Sequence, residues 1–319
     1  MLSRRQLRIK AMEGLYAYYS QGEEDDKLHL DSLISVFSLI HKLYLHQLYL
    51  LIEVNSFAKR SIERAKNKQL PDETDLNPNM RYVNNAVWQI LAVDPYLEKR
   101  KGSLGISWNK EEELIRKIYN KIKGTKTFQD YLNATDLSFE EERTFAKKIF
   151  REGIIGFELL EHYYSEKNLY WEANVDLVNR LVLDTIDDMS PRMTRNSFRG
   201  SIIIKDILTK DDLAFVKKLF EKTIIHNSEF ETWIGAKAKN WDTDRIAHMD
   251  ILLMKMALCE ILEFDMIPVK VSLNEYIEIS KYYSAPQSRG FINGILDKLI
   301  VDLNKNKRIQ KRGRGLIDS

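Results

Sequence analysis

The sequence predicts an all-α protein, and three observations carry this prediction. Apolar residues recur at the three- and four-residue spacing of helices, whereas a strand-like run is confined to residues 202–204. Glycine and proline, with 13 and 6 copies among 319 residues, are too scarce for the many tight turns of an all-β fold. Several capping pairs also have the three-residue spacing typical of helix N-termini.

The first long helix is predicted between residues 30 and 66. Its apolar face is formed by Leu33, Val36, Phe37, Ile40, Tyr44, Leu48, Leu51 and Ile52. Pro71 and Pro78 then predict a polar loop, and two glycines near residue 103 predict another. The most apolar stretch, residues 43–54, is too short and too polar to cross a bilayer.

Capping boxes predict the starts of three later helices. In such a box a short side chain accepts a hydrogen bond from the backbone amide three residues on, and that residue's side chain bonds back. The pairs are Ser138 with Glu141, Thr209 with Asp212, and Ser284 with Gln287.

An internal repeat appears when residues 145–186 are laid over residues 215–256. FAKKIFREGII then aligns with FVKKLFEKTII without gaps. Two copies are too few for a solenoid, so we interpret them as two similar three-helix units. The predicted division is an N-terminal basic helix, long helix and inserted helical segment in 1–136, a helical repeat in 137–205, a C-terminal helical subdomain in 206–303 and a basic flexible tail in 304–319.

The basic residues are concentrated at the two ends of the chain. The net charge is +2, but residues 1–20 carry +3 and residues 304–319 carry +5, which leaves −6 for the rest. Basic ends suit a polyanion such as RNA, because cations near phosphates gain free energy from counterion release. A solvated tail that only aids solubility is the alternative for the C-terminal end.

No catalytic or cofactor-binding pattern is present in the sequence. It contains no phosphate-binding glycine loop, dinucleotide fingerprint, nucleophile elbow or paired-histidine zinc motif. His41 and His46 are five residues apart and therefore lie on different faces of a helix. The single cysteine, Cys259, excludes a disulfide framework, and no secretory signal opens the chain. We expect a cytoplasmic, non-enzymatic protein without metal, cofactor or membrane segment.

The C-terminal third carries the most informative motifs. RIAHMDILLMKMALCEIL is followed by PVKVSLNEYIEISKYYSAPQSRGFINGILDKL. This closely resembles the NusB family of transcription antitermination factors, in which a helix ending near A-x-x-E-[LI] precedes V-x-[IL]-N-E-x-[IV]-E-[LI]-[AS]-K and F-[VI]-N-G-[VI]-L-[DN]-K. The matching positions are Asn274, Glu275, Glu278, Lys281, Phe291, Asn293, Gly294, Leu296, Asp297 and Lys298. The segment SRRQLRIKAMEGLYAYY also resembles the arginine-rich first helix of the family.

The resemblance implies NusB-like helical bundles that bind single-stranded boxA-like RNA. The implied partners are the NusE-type small-subunit ribosomal protein and the RNA polymerase antitermination complex. The RNA-binding residues that it implies are Arg4, Arg5, Arg8, Lys10, Lys255, Lys281, Ser284, Ser288, Arg289 and Phe291. Asp250 and Gln287 fall at the implied partner-binding face. Gln6 and Lys255 stand where family members carry arginine, which weakens the contact expected at each.

About 190 residues between the two matching segments have no counterpart in short members of the family. The repeat suggests that part of this helical insert derives from the NusB core by duplication. Its tryptophans, Trp88, Trp108 and Trp171, are interpreted as core residues, with an enlarged RNA or polymerase surface as the alternative.

Two other functions remain open at this point. One is a helical interaction scaffold or homodimer that has lost its RNA function. The other is an RNA-targeting module of a ribosomal RNA modification system, since NusB-like domains also precede cytosine methyltransferases. No glycine-rich cofactor loop or catalytic cysteine motif follows the matching segment, which argues against a methyltransferase.

Overall fold

The computed structural model describes residues 2–22, 25–103, 107–194, 199–238 and 247–317. Every regular element in these ranges is a helix, which confirms the predicted all-α class. The α-helices are α1 (Arg4–Ser20), α2 (Asp26–Lys66), α3 (Glu73–Leu76), α4 (Ala86–Ala92), α5 (Pro95–Ser103), α6 (Glu112–Lys123), α7 (Lys126–Asn133), α8 (Phe139–Gly153), α9 (Glu158–Lys167), α10 (Leu169–Glu172), α11 (Val175–Asp187), α12 (Lys210–Ile225), α13 (Asn227–Lys237), α14 (His248–Glu263), α15 (Val269–Tyr283) and α16 (Ser288–Lys305). None of the described helices is both long enough and apolar enough to cross a membrane.

The chain divides into two compact units. The first, which we call the insert unit, is Val36–Ile207. The second, the terminal unit, combines Leu2–Ser35 with Leu208–Ser319. The predicted four-part division differs from this, because α1 belongs with the C-terminal helices and the predicted boundary at residue 136 falls inside the insert unit. Sequence order alone does not show that the two ends of a chain pack together.

Helix α14 is the centre of the terminal unit. Of its 16 residues, 11 are buried, and it is apolar almost all round, as expected for a helix enclosed by others. Helices α1, α12, α13, α15 and α16 pack around it. Leu7, Ala11 and Leu15 recur every four residues on the buried face of α1, and Ser3 forms a capping box with Gln6 at its start.

Helix α2 is the long helix predicted from the apolar spacing. It has 41 residues and begins at Asp26, four residues before the predicted start. Its apolar positions Ile40, Tyr44 and Leu48 are buried, as the pattern predicts. The polar loop that follows contains only the single turn α3 before α4 begins.

Two of the three predicted capping boxes are confirmed. Ser138 and Thr209 each accept a hydrogen bond from the amide three residues on, and they begin α8 and α12. The third prediction is wrong, because Ser284 is the C-cap of α15 and α16 begins only at Ser288. Pro286 lies between the two helices, and proline pushes the residue before it out of the helical region.

The core of the insert unit is built around α8. This helix contacts α4, α6, α7 and α11. Phe145, Ile149 and Phe150 are buried on it, and the ring of Phe145 stacks on that of Tyr131 with centroids 3.6 Å apart. At Gly153 a Cβ atom would overlap the side chain of Ile122, so glycine permits the close approach of α6 and α8.

A cluster of aromatic residues surrounds His46 on α2. Its imidazole lies 4.2 Å from the ring of Trp108, 5.8 Å from that of Tyr163 and 5.1 Å from that of Trp171 between centroids. His46 is 4% exposed, and the Tyr163 hydroxyl is 3.4 Å from its Nε2. Trp88, elsewhere in the unit, is also buried, so all three tryptophans of the insert are core residues as interpreted.

The proposed repeat falls on helices of similar order but unequal number. The first copy covers four helices, α8, α9, α10 and α11, and the second covers α12, α13 and α14 among its described residues. The first helix of each copy begins at a capping box, and the aligned residues Phe150 and Phe220 are both fully buried. Residues 239–246 of the second copy, which include the aligned Trp241, lie outside the described residues. The duplication stays a prediction.

The tail from residue 304 is packed rather than flexible as far as it is described. Arg308 forms an ion pair with Glu229 at 2.9 Å. The Lys311 ammonium donates a hydrogen bond to the carbonyl oxygen of Phe264, the C-cap of α14, at 2.9 Å. A cation is favoured at a helix C-terminus, where unpaired carbonyl groups concentrate negative charge. The basic composition of the tail predicts a solvated segment. It does not reveal that the Glu229 carboxylate and the Phe264 carbonyl bind its cations.

We expect acid to destabilise the protein through His46. Burial, with a smaller effect of the Lys42 and Lys167 charges, lowers its pKa from 6.5 to about 3. Between these two values the unfolded chain binds a proton that the folded protein excludes, so the free energy of unfolding falls as the pH is lowered. The contribution approaches about 1.4 kcal/mol per pH unit in this window. Urea unfolding at pH 7 and pH 5 measures it.

His46→Phe should reduce the difference between the two pH values, whereas the same change at the exposed His162 should leave it unaltered. Equal pH dependence of the native protein and His46→Phe would contradict this assignment.

We also expect Gly315→Ala to release the tail. A Cβ atom at this position would overlap the carbonyl oxygen of Asp265, which is backbone and has no flexible end to move aside. Such overpacking typically costs about 1–3 kcal/mol. Gly235→Ala is the matched control, because nothing lies within 4 Å of its Cβ and alanine favours the helix. Limited proteolysis and thermal unfolding distinguish the variants; equal tail cleavage in both would show that the tail is not held by this contact.

Candidate functional site

A fully enclosed ion pair joins three helices of the terminal unit. The Arg8 guanidinium on α1 donates two hydrogen bonds to Glu260 on α14, from Nε and Nη2, each at 2.7 Å. The two side chains are 3% and 0% exposed. On α15, Ser272 Oγ and Tyr276 OH donate to the same carboxylate at 2.7 Å and 3.2 Å. Each oxygen of Glu260 therefore accepts two hydrogen bonds.

The charge of Arg8 is retained in this interior. Burial lowers the pKa of its guanidinium, but the hydrogen bonds and charge of Glu260 outweigh burial and hold the pKa above its ordinary value. A guanidinium suits this site because its planar donors match a carboxylate at two points.

A second carboxylate continues the network to the surface. Glu275 on α15 accepts hydrogen bonds from Nε and Nη2 of Arg5 at 3.0 Å and 2.8 Å. It also lies 3.4 Å from Nη1 of Arg8. The Arg5 hydrogen bond lowers the pKa of Glu275, so this carboxylate is ionised at neutral pH. Arg5 is 43% exposed, which places its charge at the rim of the enclosed pair.

A cleft of about 430 Å³ lies between α15 and α16 beside this rim. It is lined by Ile277, Glu278, Lys281, Arg289, Gly290 and Asn293. Lys281 is hydrogen-bonded to Glu278 and lowers its pKa, and the charges of Arg5 and Arg289 act in the same direction. We call Arg5, Lys281 and Arg289 the basic edge. Three of the residues predicted to bind RNA are thus brought together around one carboxylate.

Arg4 precedes Arg5 on α1 and is also exposed, but its contacts are with α12. Its guanidinium lies 3.7 Å from Asp212, too far for a strong ion pair, and 4.7 Å above the ring of Phe215. Its side chain is 47% exposed, so it remains accessible to a ligand.

Three predicted RNA-binding cations are used inside the protein instead. Arg8 holds Glu260, as described above. Lys10 is 5% exposed and bonds Glu13 at 2.7 Å. Lys255 is 5% exposed and bonds Asn227 and Glu231 at 2.6 Å and 2.5 Å. These residues support the fold, and we leave them out of the proposed contact surface.

The remaining predicted residues lie near the start of α16, apart from Asp250 on α14. Ser288 is buried and Phe291 is half-buried, so neither offers an open face. Ser284 is half-buried at the end of α15, and Gln287 is exposed. Asp250, predicted to contact a partner, is 4% exposed in the first turn of α14, and its Oδ1 makes no hydrogen bond with a described residue.

Sequence reasoning missed two kinds of residue. Glu260 falls within the A-x-x-E-[LI] motif, but an acid between apolar residues of a helix also indicates a buried partner. Tyr282 was not singled out, yet it is 79% exposed next to Lys281 and presents an open aromatic face. In the described part of the chain, no group of three or more His, Cys, Asp or Glu side chains is placed to hold a metal ion.

The fold and the site together define an all-helical protein whose exposed cations are positioned by an enclosed ion pair. The family model described as "NusB family" matches residues 175–301, a range that begins in α11 and ends in α16. The chain belongs to the NusB family. No solved structure gives a significant match.

Three curated relatives, each named transcription antitermination protein NusB, agree with this. The protein of Salinibacter ruber is 42% identical over 113 residues, which are 35% of this chain and 69% of the relative. The protein of Chloroherpeton thalassium is 40% identical over 36% of this chain and 54% of its own length. That of Natranaerobius thermophilus is 34% identical over 32% and 73%. Each match covers about a third of this chain, which is a long form of the family.

We expect Glu260→Gln to destabilise the terminal unit by about 3–5 kcal/mol, because the Arg8 charge would stay buried without its counter-charge. The double variant Arg8→Met/Glu260→Leu should recover much of this loss, since neither charge then remains. Urea unfolding compares them.

Arg5→Ala, which breaks the exposed neighbouring pair, serves as the control and should cost less than about 1 kcal/mol. A double variant as unstable as Glu260→Gln alone would show that the pair is not the source of the effect.

Proposed function

We propose that this protein is an RNA-binding transcription antitermination factor that acts in the cytoplasm. In this proposal it binds single-stranded boxA-like RNA together with the NusE-type small-subunit ribosomal protein, as part of the RNA polymerase antitermination complex. The observation that carries the proposal is the basic edge. Family membership and the names of the curated relatives support the same function.

The basic edge has donors available for phosphate. Arg5 has five N–H groups, of which Glu275 engages those on two nitrogens, so others remain for a ligand. Arg289 is exposed and forms no ion pair with a described residue. The exposed pair of Lys281 and Glu278 contributes little stability, so a phosphate can compete for the ammonium at small cost.

Bases of a single strand need flat surfaces as well as cations. Aromatic side chains supply such surfaces, and stacking of one base is worth about 1–3 kcal/mol. Phe291 is the one aromatic residue among the RNA-binding residues that the resemblance implies, but its ring is half-buried. Tyr282, exposed beside Lys281, is better placed, and we assign the stacking contact to it.

The partner surface is proposed on the same face. Gln287, at the start of α16, is exposed two residues before Arg289 and can contact a protein bound beside the RNA. Asp250 is buried, so it would support a partner contact only indirectly.

We expect Lys281→Ala/Arg289→Ala to weaken binding of a boxA-like RNA at least tenfold, because two phosphate contacts are lost. Fluorescence anisotropy over a range of salt concentrations measures this, with and without the NusE-type protein. The salt slope should fall by about 0.7 per cation removed. Tyr282→Ala should weaken binding without changing this slope.

Lys298→Ala is the matched control, since Lys298 is exposed on α16 but lies nine residues, or two and a half turns, beyond Arg289 and so faces the other way. A scrambled RNA that binds as tightly as the boxA-like RNA, even with the NusE-type protein present, would refute the proposal. Tight self-association without RNA binding would favour the scaffold function instead.

A further inference from the structure

The insert unit contains a cleft that neither the fold nor the proposed function explains. Its volume is about 250 Å³, just below the range of about 300–1,000 Å³ that is typical of ligand pockets. Its lining comes from α2, from the residue before Trp108 and from the junction of α9 with α10. The lining residues are Leu39, Lys42, His46, Ser107, Tyr163, Lys167, Asn168 and Trp171.

Two buried polar atoms at this cleft have no partner among the described residues. They are Nδ1 of His46 and Nε1 of Trp171, whose side chains are 4% and 6% exposed. A buried polar atom without a hydrogen bond costs about 1–3 kcal/mol. Their unmet hydrogen bonding, on side chains that line a cleft, fits a ligand with polar edges.

The chemistry of these atoms favours a neutral, planar ligand group. Burial lowers the pKa of His46 to about 3, so its imidazole is neutral at pH 7 and carries one donor and one acceptor nitrogen. The Trp171 nitrogen is a donor. Nucleobase edges present both donors and acceptors. His46, Tyr163 and Trp171 are largely buried, and the parts of their rings that reach the cleft form an aromatic wall for a base.

Two ammonium groups stand at the same cleft. Lys42 is half-buried and forms no ion pair with a described residue. Lys167 is half exposed, lies 5.0 Å above the Tyr163 ring and meets Glu111 only at 3.8 Å. Both charges reach His46, since both contribute to lowering its pKa. A ligand with both a planar base and a phosphate can make all three kinds of contact. Its base can pack on the rings and hydrogen-bond to the unpaired nitrogens, and its phosphate can bind the two ammonium groups.

We propose that this cleft binds a nucleotide, with the base against His46, Tyr163 and Trp171 and the phosphate at Lys42 and Lys167. The nucleotide is either free or one residue of a single-stranded RNA. This site lies wholly in the insert unit, so it is independent of the basic edge and of the function proposed for it.

The test uses the full chain and its tryptophan fluorescence, because Trp171 lines the cleft. The four 5′-mononucleotides, the matching nucleosides, inorganic phosphate and a six-residue single-stranded RNA are titrated separately. A nucleotide or the RNA should saturate, and a nucleoside should bind more weakly than its nucleotide. Saturation by a mononucleotide identifies a free nucleotide as the ligand, and saturation by the RNA alone identifies an RNA residue.

Lys42→Ala and Lys167→Ala should each weaken this binding about tenfold, because one phosphate contact is lost. Lys59→Ala is the matched control, since this exposed lysine lies on the same helix about 25 Å from Lys42. His46→Phe should abolish mononucleotide binding, whereas Lys281→Ala/Arg289→Ala, which changes only the basic edge, should retain it. That contrast separates failure of this site from failure of the proposed function.

A second measurement needs no variant and so does not depend on whether the variants fold. When the ligand is added to the native protein, the ring-nitrogen chemical shifts of His46 should change and those of the other histidines should not. No saturation by any nucleotide or by the RNA, with unchanged histidine shifts, would refute the site. An equal loss in Lys59→Ala and Lys42→Ala would also refute it, because binding would then reflect overall charge.

Discussion

The terminal unit depends on one carboxylate, that of Glu260. The Glu260 side chain lies on α14 and is 0% exposed. It accepts hydrogen bonds from α1 and from α15. Removing two charges from water is costly unless they are paired and hydrogen-bonded, and here the carboxylate accepts four hydrogen bonds, two of them from Arg8. The rotation of α1 about its axis is set by this pair. With Arg8 turned inward, Arg5 lies at the rim beside Glu275. The position of Arg5 at the surface therefore follows from an interaction in the interior.

Much of the fold could be predicted because it depends on local patterns. The helical spacing of apolar residues gave the long helix to within four residues, and two capping boxes marked helix starts correctly. The third failed at Ser284, where Pro286 imposes a turn that the side-chain pattern alone does not reveal. The association of α1 with the C-terminal helices has no local signal, because it joins residues more than 200 positions apart.

The candidate site was predicted less well than the fold, and the reason is burial. The basic segment contains three arginines that the sequence alone does not distinguish: Arg4, Arg5 and Arg8. In the structure Arg8 is enclosed, whereas the other two are exposed. Its spacing could have shown this, because Arg8 precedes the buried residues Ala11, Met12 and Leu15 by three, four and seven positions. Lys255 had the same signal, since it stands in the middle of an apolar helix. The family motif marks these positions without distinguishing a structural cation from an exposed one.

The carboxylates of Glu275 and Glu278 give the basic edge a property that its cations alone would lack. Glu275 is already hydrogen-bonded to Arg5, and Glu278 to Lys281. The binding free energy of an anion is therefore reduced by the free energy of the carboxylate contacts that it displaces. A single inorganic anion gains little from such an exchange. A polymer with several phosphates at a matching spacing forms a favourable contact with each cation, but it loses translational and rotational entropy only once. In the proposed RNA complex, the two carboxylates would therefore favour a ligand whose phosphates are spaced to match the cations over one that merely carries negative charge.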